Sequence, residues 1–107
     1  MFKAEYNATM LEPDPKYETA FRCWARYYRT AEAFDRTLPG RMLEGEWMPA
    51  PEHRGASSRH AHDVYRATLD ELARLEVGDA ISGAARSRAM DLNYEQLCEV
   101  PLPNEGP

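Results

Sequence analysis

Three histidines and one aspartate are the side chains in this sequence best suited to hold a metal ion. His60, His62 and Asp63 are close neighbours along the chain, and His53 precedes them. Residues two apart on a helix are separated by about 160° around its axis, so His60 and His62 cannot both reach one ion if this segment is helical. His60 and Asp63 share a helical face, but two ligands fall short of the four that a structural zinc ion takes. We therefore predict surface histidines near a helix start, and no metal or other cofactor.

Nucleophiles and phosphate-binding loops are also poorly represented. Cys23 and Cys98 have no nearby cysteine partner, which excludes a C-x-x-C motif, and lone cysteines are usually buried as small apolar residues. The 6 glycines are too far apart to form a phosphate-binding loop, and no G-x-S-x-G or H-E-x-x-H motif occurs. We therefore predict that the chain is not an enzyme and has no catalytic residues.

The most regular polar feature is a row of arginines that falls within about 80° on a helical wheel, on the side opposite Trp24 and Ala31. The row consists of Arg22, Arg26, Arg29 and Arg36. Such a row is typical of a docking surface for phosphates or for an acidic protein. It is also typical of a solvated helix face. The pairs Glu18–Arg22 and Glu32–Arg36, each four residues apart, would stabilise such a helix.

Aromatic side chains crowd the same segment and recur at helical spacing: Tyr17, Phe21, Trp24, Tyr27, Tyr28 and Phe34. They exceed what one facing helix can cover, so they form either a core with tyrosine hydroxyls at its rim or a surface that another chain seals. Trp, Tyr and Arg dominate binding hot spots, and Trp47 and Met48 would extend such a patch. The predicted partner-binding residues are Arg22, Arg26, Arg29, Arg36, Tyr27, Tyr28, Trp47 and Met48.

The elements that must position these residues follow from capping residues and helix breakers. Asp14 is a suitable N-cap and Pro15 suits the first helical position, which predicts a helix over about residues 15–37 that Pro39-Gly40 ends. Residues 39–56, rich in proline and glycine, form a long connection, part of which we expect to lie back on the helices.

Two further helices follow the connection. The second is capped by Ser57 or Ser58 and stops near Gly78, and the third runs from Asp79 or Ser82 to Met90. Residues 93–98 either continue the third helix or form a separate turn. The scarcity of β-branched apolar residues argues against an extensive sheet.

The predicted fold class is all-α: an antiparallel helical hairpin closed by a third helix and by the long Pro/Gly-containing loop. Residues 1–100 form a single helical domain, and residues 101–107 form a flexible C-terminal tail. Within residues 1–13, alternating apolar positions indicate a short extended segment.

Composition agrees with a small soluble domain. The chain has 107 residues, of which 43% are hydrophobic and 29% charged, with a formal net charge of −5. It has no apolar run of about 18 residues, so no membrane span is predicted. Too few cysteines occur for a disulfide scaffold, and no secretion signal is apparent, so we expect a cytoplasmic protein.

The stretch Trp24-Ala25-Arg26-Tyr27-Tyr28, followed by Glu32-Ala33-Phe34-Asp35-Arg36, a Pro/Gly loop and Arg59-His60-Ala61, resembles small helical-hairpin proteins encoded by bacteriophages and prophages. The resemblance covers about 50 residues. It implies an accessory protein that acts by contact on a macromolecular machine in the cytoplasm of a bacterial host. Inhibitors of host defence systems are one class of such accessory proteins. It implies no catalytic residues.

The sequence therefore predicts a non-enzymatic protein that binds another protein. One alternative is a nucleic-acid-associated regulator, although a pI near 5.2 opposes nonspecific approach to DNA. A helix-turn-helix match is poor, because Gly78 comes five residues after Ala73 rather than four. The other alternative is a structural homodimer.

Overall fold

A computed structural model describes residues 14–105 of the chain. This part is mostly helical, with four α-helices, one short 3-10 helix and a two-stranded antiparallel sheet. The elements are α1 (Pro15–Asp35), β1 (Gly40–Leu43), β2 (Glu46–Pro49), the 3-10 helix (Pro51–His53), α2 (Arg54–Arg74), α3 (Asp79–Met90) and α4 (Tyr94–Glu99). Within the described range, no helix has the length and apolar character that crossing a membrane requires. The extended segment predicted in residues 1–13 lies outside the described residues.

Helix α1 is the centre of the fold. The side chain of Asp14 accepts a hydrogen bond of 2.9 Å from the backbone N–H of Lys16, and Pro15 follows this N-cap as predicted. Helices α2, α3 and α4 and strand β2 all pack on α1, with α3 making the most extensive interface. As a result every residue from Thr19 to Arg36 is buried or half-buried. The predicted two-helix hairpin is therefore only a rough description of a central helix that its neighbours surround.

The core combines aromatic side chains of α1 with small side chains of α3. Ala85 and Ala89 are fully buried, and their small side chains let α3 approach α1 closely. Trp24 of α1 lies between α3 and α2 and is only 2% exposed. The Trp24 indole donates a 3.1 Å hydrogen bond to Ser82 Oγ. Arg88 places its guanidinium 3.7 Å from the ring centre of Phe21. This cation–π contact from Arg88 covers part of the Phe21 ring.

The connection over residues 39–56 contains a β-hairpin that the sequence prediction missed. Its pairs are Gly40↔Pro49, Arg41↔Met48, Met42↔Trp47 and Leu43↔Glu46. The two-residue turn has positive φ at Glu44 (51°) and Gly45 (87°), as tight hairpins need. A Cβ at Gly40 would overlap the Met48 carbonyl oxygen, so the strands can approach only because this residue is glycine. Among residues 14–105, the sheet consists of these two short strands.

Helix boundaries differ from the sequence prediction mainly after the hairpin. Helix α2 begins at Arg54, ahead of the predicted serine caps, because the 3-10 helix leads directly into it. Helix α3 begins at the earlier of its two predicted starts, Asp79. Residues 94–99 form a separate helix with a capping box, in which Asn93 and Gln96 bond each other's backbone N–H.

Candidate protein-binding surface

Three of the four arginines predicted to bind a partner instead contact other parts of this chain. Arg26 forms an ion pair with Glu71 of α2. Arg36 bonds Glu32 at 3.1 Å and lies 4.1 Å from the ring centre of Tyr94. Arg22 lies 3.6 Å from Glu18 and donates a 3.0 Å hydrogen bond to the backbone carbonyl of Glu105.

Arg29 is the fourth member of the row, and it is half-buried without an ion pair among residues 14–105. Both acidic pairs expected from the spacing, Glu18–Arg22 and Glu32–Arg36, are present. The row is therefore largely occupied by intramolecular contacts.

The tyrosines of α1 also have intramolecular neighbours. The Tyr27 ring meets Trp24 edge-on at 5.8 Å and also contacts Tyr65 of α2. Burial raises the pKa of the Tyr27 hydroxyl, and its neighbour Tyr28 adds to the rise. The Tyr28 hydroxyl accepts a 2.9 Å hydrogen bond from Arg86 Nε of α3. Both tyrosines stay half-buried, so the bundle covers them without enclosing them fully.

Trp47 attaches the hairpin to α1. Its indole N–H donates to the Leu38 carbonyl at 3.0 Å, and its backbone N–H donates to Glu32 Oε2, also at 3.0 Å. The same carboxylate oxygen bonds Arg36, so one acidic group connects β2 to the end of α1. Trp47 is half-buried. This confirms the expectation that part of the connection lies back on the helices.

The two faces of the hairpin differ. Met42 and Trp47 share the face that Trp47 attaches to α1, while Arg41, Leu43, Glu46 and Met48 share the opposite, outer face. The outer face and the start of α2 line an open concavity of about 670 Å³, which we call the hairpin groove. Its lining residues are Gly40, Arg41, Leu43, Met48, Pro49, Ala50, Pro51 and Arg54.

Exposed apolar side chains cluster at this end of the molecule. Met42 is 50% exposed and Leu43 42% exposed, although both belong to a hairpin with paired strands. Met48 is half-buried in the groove. Arg41 and Arg54 are the charged residues of the lining, and Arg54 Nε makes a long 3.4 Å hydrogen bond to the Pro49 carbonyl.

A second concavity, of about 410 Å³, lies between α1, the hairpin turn and the junction of α3 with α4. We call it the acidic cleft, because its charged lining residues are Glu32, Glu44, Glu46 and Asp91. Met90, which is 61% exposed, lies at its side. The acidic cleft and the basic hairpin groove share no lining residue.

The histidines only partly match the prediction of surface positions, since His62 is exposed but His53 and His60 are half-buried. The His60 ring stacks on Phe34 at 4.1 Å between ring centres. Among residues 14–105, no group of three or more His, Cys, Asp or Glu side chains is arranged to hold a metal ion.

The two cysteines differ in accessibility. Cys23 is buried as predicted, and burial raises the pKa of its thiol from 9.0 to about 11, with Glu71 adding to the rise and Arg26 opposing it. Cys98 is exposed, so the prediction of a buried residue is wrong there. Cys98 lies on the 6-residue helix α4, in which Leu97 is the buried apolar residue.

Comparison with known proteins finds no matching family model, no matching curated protein and no matching solved structure. The candidate surface therefore rests on the geometry of this chain. Of the predicted partner-binding residues, the hairpin contains Trp47 and Met48, five lie on α1, and Arg36 is the C-cap of α1. Sequence reasoning missed Arg41, Leu43 and Arg54. The signal that would have found them is the Glu44-Gly45 pair between two four-residue segments, which is typical of a tight hairpin turn.

Proposed function

We propose that this chain is a non-enzymatic protein that acts by binding another protein, and that the hairpin and the hairpin groove form the contact. The observation that carries the proposal is the exposure of Met42 and Leu43 on a hairpin that Trp47 fastens to the central helix. Exposed apolar side chains beside charged ones are typical of binding sites. Because the hairpin is already held in place, little conformational entropy is lost when a partner binds.

The intramolecular contacts of α1 support the hairpin over the arginine row. A partner that bound Arg26 or Arg36 would have to compete with their contacts to Glu71 and Tyr94. Leu43 is 42% exposed, so a partner can cover it without displacing an ion pair. A phage or prophage accessory protein that inhibits or adapts a host machine would act in this way, by contact alone. The resemblance drawn above, which runs from Trp24 through the Pro/Gly loop to Ala61, is what suggests that role.

Site-specific photo-crosslinking tests the proposal. A photoreactive phenylalanine analogue replaces Leu43 in one variant and the exposed Ala84 of α3 in a matched control, and each is irradiated in cells of the source organism. We expect a protein adduct of defined mass from position 43 and none from position 84. Identical adducts from both positions, or none from position 43, would contradict the proposal.

A purified partner then allows a quantitative test. Leu43→Ser should weaken its binding at least about tenfold, which corresponds to about 1.4 kcal/mol, with the helical circular dichroism unchanged. Arg29→Glu is the matched control for the arginine row and should leave binding unchanged. If Arg29→Glu abolished binding and Leu43→Ser did not, the contact would lie on α1 rather than on the hairpin. A molar mass of twice 12.2 kDa by light scattering, with no heterologous adduct, would favour the homodimer.

A further inference from the structure

The charge of the hairpin groove is opposite to that of the whole chain. The chain has a formal net charge of −5, yet the charged residues that line the groove within the described range are Arg41 and Arg54. Glu46 lies on the same face of the hairpin as Arg41 but lines the acidic cleft with three other carboxylates. The two arginines therefore favour a negatively charged ligand in a chain of net negative charge.

Both arginines retain donors for a ligand. Arg41 is on an exposed strand and makes no hydrogen bond or ion pair through its side chain with other residues in the 14–105 range. Arg54 uses only its Nε, in the long bond to the Pro49 carbonyl. A guanidinium group offers five N–H donors in a planar arrangement that matches a carboxylate.

The larger apolar residues of the groove lining are Leu43, Met48, Pro49 and Pro51. At about 670 Å³ the groove has the size of a pocket that takes a few side chains rather than a folded domain. Within the part of the chain that the structure describes, the lining holds no aromatic ring on which a nucleobase would stack, and its two arginines are few for a phosphate backbone. Apolar contact flanked by carboxylates suits this lining better than a nucleic acid does.

We infer that the groove binds a short acidic segment of the partner protein, in which a large apolar side chain is flanked by Asp or Glu. The apolar side chain packs on Leu43 and Met48, and the carboxylates pair with Arg41 and Arg54. This inference rests on the proposed function and specifies the chemistry of the partner.

Selection from a random twelve-residue peptide library displayed on phage tests the inference. The library is selected on the full chain, on the variant Arg41→Glu/Arg54→Glu, and on Arg59→Glu/Arg66→Glu. The last pair is a matched control, since it changes the net charge equally at exposed positions of α2 outside the groove. All three proteins are first shown to have the same helical circular dichroism.

The expected result is enrichment of peptides with Asp or Glu next to Leu, Ile, Met or Phe on the wild-type chain and on the Arg59/Arg66 control. The groove variant should lose these peptides or select basic ones. A synthetic copy of the most enriched peptide should bind the wild-type chain at least about tenfold more tightly than the groove variant, with affinity that falls as salt rises.

Several results would overturn the inference. These are no enrichment, enrichment without acidic bias, or the same peptides on the groove variant. A dimer that dissociates on Arg41→Glu/Arg54→Glu in sedimentation experiments would make a second copy the occupant. If crosslinking from position 43 finds a partner but the peptides show no acidic preference, the proposed function stands and only this inference fails.

Discussion

Helix α1 and the hairpin have the same kinds of side chain and use them in opposite ways. Each has a tryptophan, apolar neighbours and at least one arginine, but Trp24 is 2% exposed in the core, whereas Trp47 is half-buried and attaches the hairpin to α1. The arginines of α1 largely contact the chain itself, while Arg41 and Arg54 line an open groove. The comparison teaches that residue types of binding hot spots mark a binding surface only where the fold leaves them uncovered.

The largest expected difference between the two regions is in the cost of removing their tryptophans. Trp24→Ala removes a buried ring and its bond to Ser82, and it should lower the free energy of unfolding by about 3–5 kcal/mol. Trp47→Ala should cost about 1 kcal/mol, since that ring is half-buried. Urea unfolding followed by circular dichroism measures both. Equal costs would contradict the division into core and attachment.

The two glycines Gly40 and Gly83 test whether the hairpin depends on close strand contact. Gly40→Ala forces a Cβ onto the Met48 carbonyl and should destabilise the protein by about 1–3 kcal/mol, with a local loss of protection from hydrogen exchange in residues 40–49. Gly83→Ala, in open space on α3, should stabilise it by about 0.5–1 kcal/mol. Stabilisation by both substitutions would mean that the strands do not need glycine.

The buried thiol of α1 predicts a dependence of stability on pH. Because the pKa of Cys23 is raised from 9.0 to about 11 in the folded chain, the unfolded chain loses this proton first as pH rises. The contribution of this thiol to the free energy of unfolding should therefore be fully present below about pH 9 and be lost progressively between pH 9 and 11. At pH 10 the loss should be about 1 kcal/mol. Cys23→Ala should reduce this loss, though not the part due to Tyr27, whose pKa is also raised. An unchanged pH profile in that variant would contradict the assignment.

The smallest expected effects separate the arginines of the two regions. A double-mutant cycle on Arg26 and Glu71 should give a coupling energy of about 0.5–1 kcal/mol, because this ion pair joins α1 to α2 at partly covered positions. Arg41→Gln should change the free energy of unfolding by less than about 0.5 kcal/mol. A larger loss from Arg41→Gln than from Arg26→Gln would invert the comparison.

Much of the helical framework could be predicted from local sequence signals. Asp14 and Pro15 set the start of α1, Asp79 was one of the two predicted starts of α3, and the pairs Glu18–Arg22 and Glu32–Arg36 follow from four-residue spacing. Caps and spacing act within a few residues, so they can be recognised without the rest of the fold. The hairpin was missed because its strands lack β-branched residues, and only the Glu44-Gly45 turn indicates it.

The sequence by itself determined that the chain is mainly helical, where helix α1 begins, and that Cys23 faces the core. Only the tertiary structure decided which side chains stay uncovered. The predicted binding residues on and next to α1 are arginines and tyrosines, and those of the hairpin are Trp47 and Met48. Residue type alone does not show which of them the fold covers, since Arg and aromatic residues serve in cores and at surfaces. Helices α2, α3 and α4 pack on α1 from distant parts of the chain, while the outer face of the hairpin lines an open groove with the start of α2.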